Sequence, residues 1–400
     1  MQLRTLEQLD IAGKRVLLRV DINEPEDHGA LEDNHRIRAV VPTIRKLRER
    51  GAARITLLAH RTQRKHDTAP PSLAFIVPHL ERHFGVPVTF LEHLAHAAEK
   101  VSAGNAGQVF LLENLRIDPG EEANDPTFAA RLATLGEVFV QEAFGAVHRA
   151  HASTALLPTL LPSAAGPLVL REVEEITRLR CGDVPRPFVA VIGGAKISTK
   201  LPLIESLLAH VDGLCLGGAL ANTVLKAKGV AIGKSLVEEA MVQHVQSIEL
   251  TDTKLHLPID VVVSTATDGS AAKRHAGVGG MRDDELILDI GTDTQVLFAN
   301  VIHRAKTVFW NGPMGLVEVE AFRAGTDAVA LALANTKGYT LVGGGDTTEH
   351  LTRLGIEDDI SFISTGGGAM LELLAGEPMP GLAPLAHTNQ DTHVSTNKHE

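Results

Sequence analysis

Four times in the second half of this chain an apolar run ends in a cluster of glycines. Residues 189–192 lead into Gly193-Gly194-Ala195-Lys196, 214–216 into Gly217-Gly218, 341–342 into Gly343-Gly344-Gly345-Asp346-Thr347, and 362–364 into Thr365-Gly366-Gly367-Gly368. A strand that runs into glycine and restarts as a helix is the building unit of a parallel α/β sheet, and its loops gather at the carboxyl ends of the strands, where ligands bind. Glycine lets the backbone approach a ligand closely, and unpaired N–H groups at a helix start attract phosphate. One such loop can be a tight turn and nothing more. Four of them in one domain predict a polyanion site.

The first half alternates in the same way. Strand patterns at 15–20, 55–58, 86–91, 109–112 and 138–140 surround a helix pattern at 36–50, whose apolar residues Val40, Val41, Ile44 and Leu47 recur at helical spacing. A Pro/Gly-rich stretch at 157–167 breaks the alternation, an amphipathic helix follows at 168–180, and the strand pattern restarts at 188–192. At 400 residues the chain exceeds what one core usually serves. The expectation is therefore a domain over 1–166, a connecting helix and loop over 167–186, and a second domain over 187–384, followed by a polar tail. A net charge of −11 excludes a general binder of nucleic acid or anionic membrane, while leaving room for a local basic basin. Cys181 and Cys215 are too few for a disulfide framework or a cysteine metal site. With neither an apolar signal core nor an 18-residue apolar run, the expected location is cytoplasmic.

Two motif tests fail. Gly229-Val-Ala-Ile-Gly233-Lys234-Ser235 is one residue short of a Walker A loop and follows a helix-like stretch rather than a strand, so it reads as a decoy. No glycine loop has the G-x-G-x-x-G spacing of a dinucleotide or protein-kinase loop. Lys196 and Lys200, four apart after Gly193-Gly194, would share one face at a helix start, where cations are disfavoured unless an anion neutralises them. Asp346 could ligate magnesium, which takes one or two carboxylates plus substrate phosphates, or it could cap the next helix.

The first half carries a different inventory at its strand ends: Asn23, Arg36, His60, Arg61, Arg64, Arg116, His148, Arg149 and His151. Guanidinium forks suit carboxylate and phosphate. His148 and His151 lack a carboxylate or Cys partner at metal-ligand spacing. An Arg/His basin in one domain and phosphate loops in the other describe a kinase that moves a phosphoryl group between a nucleotide and a small phosphorylated acid.

Ordered segments carry a resemblance. Lys14-Arg-Val-Leu-Leu-Arg-Val-Asp21, Leu111-Leu-Glu-Asn-Leu-Arg116 with Pro119-Gly-Glu-Glu122, and Ala143-Phe-Gly145 with His148-Arg-Ala-His-Ala-Ser153 lie in the first half. Gly193-Gly-Ala-Lys196, Trp310-Asn-Gly-Pro313, Gly343-Gly-Gly-Asp-Thr347 and Ser364-Thr-Gly-Gly-Gly-Ala369 lie in the second. From about residue 5 to 385 the chain resembles the phosphoglycerate kinases. The resemblance implies an α/β protein of two Rossmann-like three-layer αβα domains with parallel sheets, joined by a hinge helix. Hinge closure would bring the two half-sites together, and the tail 385–400 would pack back on the first domain. It implies 3-phosphoglycerate or 1,3-bisphosphoglycerate on the first domain and ATP or ADP with Mg²⁺ on the second, in a monomer. Asp21, Asn23, Arg36, His60, Arg116 and Arg149 would hold the acid, with Arg61, Arg64 and His148 beside them, and Arg36 would also meet the transferring group. Lys196 would bridge that group to the nucleotide. Lys200, Asn311 and Thr347 would hold nucleotide phosphates, Glu318 the ribose and Asp346 the metal. Gly194, Gly217, Gly218 and Gly345 would shape the nucleotide loops, and Gly366, Gly367 and Gly368 would aim N–H groups at developing charge.

Departures from the family pattern are local. His-Leu-Gly-Arg-Pro is here His60-Arg61-Thr62-Gln63-Arg64, so a phosphate-gripping arginine is replaced by Gln63. Asn-Val-Pro is Asn23-Glu24-Pro25, the Asp before the second lysine is Thr199, and Asn-Asp-Ala-Phe-Gly-Thr-Ala is Gln141-Glu142-Ala-Phe-Gly-Ala146-Val147. Met-Gly-Leu-Asp, near the expected base pocket, is Leu286-Ile287-Leu288-Asp289.

Overall fold

Strands covered on both faces read as continuous apolar runs rather than alternating ones, and the runs of this chain form such strands. The structure is a computed structural model and describes residues 2–23, 35–62, 70–247 and 254–387. The chain divides into two compact units, Met1–Glu175 with Pro378–Glu400, and Ile176–Glu377.

The first unit is built on six parallel strands: β1 (Arg15–Arg19), β2 (Arg54–Leu58), β3 (Val88–Leu91), β4 (Gln108–Leu112), β5 (Val138–Gln141) and β6 (Ser163–Ala165), in the order β3-β4-β2-β1-β5-β6. Successive side chains point to opposite faces, so Val16, Leu18 and Val20 join one core while Leu17 joins the other with Phe110 and Phe139. Helix α1 (His35–Glu49) covers the first face with Ile37, Val40, Thr43, Ile44 and Leu47, the 3–4 spacing of an amphipathic helix. On this unit lie also α2 (Val77–Phe84), α3 (Leu94–Ala103), α4 (Pro126–Ala133) and the single turn α5 (Leu157–Leu160). Strand β6 falls inside the stretch expected to be irregular. Its Ser-Ala-Ala sequence has little strand propensity, and it is held by pairing with β5 at the sheet edge.

Helix α6 (Pro167–Cys181) follows, and the division between the units falls within it. The chain returns to the first unit at Pro378, shortly before the boundary suggested by sequence. There the Gly381 amide donates to Val147 O, Arg4 N to Leu385 O, and His387 N to Gln2 O. The rest of the polar tail, 388–400, lies outside the described residues.

The second unit has six parallel strands, β7 (Phe188–Ile192), β8 (Gly213–Leu216), β9 (Leu255–His256), β13 (Thr307–Asn311), β14 (Tyr339–Gly343) and β15 (Phe362–Ile363), in the order β15-β14-β13-β7-β8-β9. A separate antiparallel sheet of β10 (Asp260–Ser264), β11 (Arg274–Gly277) and β12 (Leu286–Ile290) was not apparent in the sequence. Its strands β10 and β12 are apolar runs, whereas β11, Arg-His-Ala-Gly, is not. The helices are α7 (Leu201–Leu208), α8 (Gly218–Ala227), α9 (Glu239–Ser247), α10 (Thr292–Arg304), α11 (Ala324–Ala334), α12 (Gly345–Leu354) and α13 (Gly368–Ala375). One face of the main sheet packs Val191, Val308, Trp310 and Val342 against Phe298, Ile302, Val329 and Leu333 of α10 and α11. No described helix is long and apolar enough to cross a membrane.

Near its middle each main sheet reverses its strand order, between β1 and β5 in the first unit and between β7 and β13 in the second. Loops diverge at such a reversal and leave a crevice beyond the carboxyl ends of the strands.

Candidate active site

Most residues expected to grip the acid follow the carboxyl ends of the first sheet: Asp21 and Asn23 after β1, His60 and Arg61 after β2, Arg116 after β4, and His148 and Arg149 after β5, while Arg36 lies in the first turn of α1. Asp21 is the anchor. Its Oδ1 accepts from Arg36 NH1 and from the Asn23 amide, both at 3.1 Å, and Arg36 NH1 also donates to Asn23 O at 3.1 Å. Burial pushes the Asp21 carboxyl up, but the Arg36 guanidinium, with the Asn23 amide and Arg19, holds it below the usual range. Asn23 reaches onward. Its Nδ2 donates to Thr62 Oγ1 (3.1 Å), its Oδ1 accepts from the Thr62 amide (2.9 Å), and Arg116 NH1 donates to the same Thr62 Oγ1 (2.8 Å). Arg116 Nε lies 3.0 Å from Glu122.

Beneath this layer lies a buried group that residue-by-residue reading missed. The Arg19 side chain is 1% exposed. Its Nε donates to Ser153 Oγ (2.8 Å), NH1 to Val20 O (2.6 Å) and NH2 to His60 Nδ1 (3.0 Å), with Glu121 3.9 Å away. Ser153 in turn donates to Glu121 Oε1 (2.5 Å). A charged residue closing the apolar run 15–20 was the sequence signal for this cluster. Arginine has no acceptor, so His60 Nδ1 is unprotonated and its hydrogen sits on Nε2. Burial and the neighbouring Arg19 hold His60 well below its ordinary pKa. Burial and Arg149 lower His148, while burial and Arg116 bring His151 to about 4. Among the described residues the basin's positive charge is therefore carried by arginine, and His60, His148 and His151 act as neutral hydrogen-bonding groups. Arg61 lies with its guanidinium carbon 4.2 Å from the centre of the Phe75 ring, a cation–π contact. Gln63 and Arg64 lie outside the described residues.

In the second unit the glycine loops do line the carboxyl edge, but most of their amides are already taken. Gly193 N donates to Asn311 O, Gly194 N to Pro313 O, Gly217 N to Ile192 O, and Gly218 N to Met314 O. A Cβ on Gly193 would stand 2.1 Å from Pro313 O, and one on Gly218 would stand 2.6 Å from Gly194 N. These glycines let neighbouring loops touch each other. Gly366 N likewise donates to Ser364 Oγ at 3.1 Å. The open positions are Gly345, in the first turn of α12, and Gly367, at φ +47° before α13. A Cβ on either would meet nothing within 4 Å. The first-turn amides of these helices have no intrahelical acceptor.

Lys196 and Lys200 do not share a helix face, because α7 starts only at Leu201. Lys200 is the residue before it, and Lys196 is exposed in the preceding loop. Glu238 pins that loop, accepting from the Ser198 amide (2.9 Å) and hydroxyl (2.6 Å). Lys200 folds inward at the β7/β13 reversal, where Nζ donates to Gly193 O (2.5 Å) and Asn311 O (3.4 Å). Burial lowers it to about 8, with Asp346 pulling the other way. Asn311 Nδ2 donates to Gly343 O at 2.6 Å, while its buried Oδ1 has no partner. Thr347 Oγ1 accepts from Gly312 N at 2.8 Å. Asp346 is not a helix cap. Gly344, at φ +109°, holds that place, leaving the Asp346 carboxylate exposed in the first turn. Glu318 is exposed between β13 and α11. The Walker-like segment is structural, with buried Ser235 Oγ accepting from Ile287 N (2.8 Å) and Lys234 exposed. Among the described residues no three His, Cys, Asp or Glu side chains are grouped to hold a metal ion.

A family model described as phosphoglycerate kinase matches residues 6–377. The phosphoglycerate kinase of Herpetosiphon aurantiacus is 44% identical over 393 residues, covering 96% of this chain and 99% of the relative. That of Moorella thermoacetica is 45% identical over 388 residues, covering 95% and 98%. Among solved structures, phosphoglycerate kinase from Coxiella burnetii matches with a TM-score of 0.82 at 36% identity, and that from Pyrococcus horikoshii with 0.84 at 30%, each covering 96% of this chain and 98% of the other. The matches run through both units, and on them the chain belongs to the phosphoglycerate kinase family.

Proposed function

We propose that this chain catalyses reversible, Mg²⁺-dependent phosphoryl transfer between 1,3-bisphosphoglycerate and ADP, giving 3-phosphoglycerate and ATP. The observation that carries the reading is the chemistry of the first half-site. Its cations are arginines locked by Asp21, Asn23 and Thr62, beside three neutral histidines. That is a receptor for a small, multiply anionic acid. In the second unit the open turn at Gly345 and the lysines suit a nucleotide's phosphate chain.

In the forward direction a β-phosphate oxygen of ADP forms a bond to the acyl phosphorus while the bond to the acyl oxygen breaks, releasing the carboxylate. Such transfer needs alignment and charge neutralisation more than covalent help. Arg36, held by Asp21, meets the equatorial oxygens from the acid side, and Lys196 and the Gly367 turn meet them from the nucleotide side. Arg116, Arg149 and the neutral His60 and His148 fix the acid. Lys200 leaves its two carbonyls for the nucleotide phosphates, Thr347 supports them, and Glu318 takes the ribose. Asp346 fits magnesium in its usual mode, one carboxylate plus phosphate oxygens, and the ion would neutralise phosphate charge. The chain works as a monomer in the cytoplasm.

The test is a coupled assay with purified protein, ATP, Mg²⁺ and 3-phosphoglycerate. Turnover that is saturable in both substrates is expected. Markedly higher kcat/KM for another phospho-acid, or no turnover with any, would overturn the reading. In Asp346→Asn, the free Mg²⁺ needed for half-maximal rate should rise.

A further inference from the structure

Thr62 stands where the family pattern carries glycine, two residues after His60 and beside the substituted Gln63. It is exposed at the rim of the first sheet's carboxyl edge, and its hydroxyl joins two residues on different loops. Oγ1 accepts from Asn23 Nδ2 at 3.1 Å and from Arg116 NH1 at 2.8 Å, while the Thr62 amide donates back to Asn23 Oδ1 at 2.9 Å. A hydroxyl has two acceptor positions and one proton. Both acceptor positions are used here, one by a cation, and no described acceptor faces the proton. Accepting from a guanidinium polarises the O–H and makes it a better donor. A hydroxyl in this state, flanked by an amide and a guanidinium it has itself oriented, is arranged to donate to an anion.

The geometry points to Thr62 as a further substrate-binding residue that completes the acid half-site of this chain, donating its hydroxyl proton to an anionic oxygen of the phospho-acid while holding Asn23 and Arg116 in register. A glycine at this position would keep the amide contact to Asn23 but would supply neither the hydroxyl proton nor the oxygen that Asn23 and Arg116 share. Part of the grip lost with the family's arginine at position 63 is thus returned one residue earlier. The inference rests on the acid reading of this half-site given above.

Calorimetric titration with 3-phosphoglycerate and, separately, with ADP tests it in the full chain. Thr62→Val keeps the shape and removes the hydroxyl, so it should weaken acid binding about tenfold, the scale of one hydrogen bond to a charged group. KM for the acid should rise with kcat little changed, and ADP affinity and Tm should stay at parent values. Thr62→Ser should come back to within about twofold of the parent, since the donor is restored. In an Arg116→Ala background, Thr62→Val should cost less than in the parent, because the shared contact is already gone. Parental or tighter acid binding by Thr62→Val, alongside a loss in Arg116→Ala, overturns the inference and leaves the acid reading standing. A Ser variant as weak as Val also overturns it, because the methyl or the backbone would then be what matters. Full acid affinity in both Asn23→Ala and Arg116→Ala would instead bring down the acid reading itself, and the inference with it.

Discussion

At the carboxyl edge of the first sheet, Asp21, Asn23, Thr62, Arg36 and Arg116 meet largely through side-chain atoms. At the same edge of the second sheet, Gly193, Gly194, Gly217 and Gly218 meet their neighbours through main-chain N–H and C=O. The two edges share a topology but differ in what can vary. A side-chain network can exchange members, as Thr62 for glycine illustrates, because a new side chain can find another partner. A backbone network cannot accept even one carbon, since a Cβ on Gly193 or Gly218 lands on a neighbouring main chain. Selectivity can therefore drift in the first unit while the nucleotide edge stays fixed.

Lys196→Met would strain this comparison most, since it removes a side chain from the backbone-built edge. A kcat loss of about 10²–10³, the value of one electrostatic donor in a transition state, is expected with ADP affinity nearly intact. Near-normal turnover would take Lys196 out of the mechanism. Next, Arg116→Ala should weaken 3-phosphoglycerate binding by about 1.5–3 kcal/mol and leave ADP untouched, as calorimetry would show. Loss of both ligands would mean that the two edges are not separable.

A pair of alanines sharpens the distinction within the second edge. Gly193→Ala should lower stability by about 1–3 kcal/mol or more through overpacking, read as a fall in the denaturant midpoint. Gly345→Ala, with open space at its Cα, should fold within about 0.5 kcal/mol of the parent yet bind nucleotide more weakly. If the two variants behave alike, the sorting of glycines into packed and open ones is wrong.

The smallest effects are protonic. With Lys200 at about 8 in the empty site, a bound phosphate should raise its pKa. At pH 8, nucleotide binding should then take up about half a proton, measurable by calorimetry in buffers of different ionisation heat. The uptake should vanish near pH 6, where the lysine is already charged, and should be absent in Lys200→Arg. Each unit also buries one helix-capping carboxylate raised by burial to about 7. Glu142 accepts from the Leu168 and Val169 amides at the start of α6, and Asp289 from the Gly325 amide at the start of α11. A carboxyl whose folded pKa is raised binds more protons folded than unfolded. Its share of stability is therefore full below about 4.5 and declines as pH rises toward 7. Glu142→Gln should flatten that slope in denaturant titrations.

Local residue choice determined the alternation of strands and helices, the parallel character of the two main sheets and the position of most candidate residues at a strand's carboxyl end. Apolar runs closed by glycine or by a polar turn have few other ways to bury both faces. The same patterns did not reveal β6 or the antiparallel sheet: Ser163–Ala165 and Arg274–Gly277 are short and weakly apolar and are strands through their pairing, and nothing local tells an antiparallel partner such as β12 from a strand of the main sheet. Nor could they tell which glycines touch protein and which stand open, because Gly193 and Gly345 differ only in what lies across the loop. The start of α7, and with it the inward fold of Lys200, was fixed by carbonyls of β7 and β13 that are far apart in sequence. The charge state of the basin was decided in the same way. Sequence places His60, His148 and His151 among the basin's residues without giving their charge; burial, helped by proximity to Arg19, Arg149 and Arg116, is what makes them neutral.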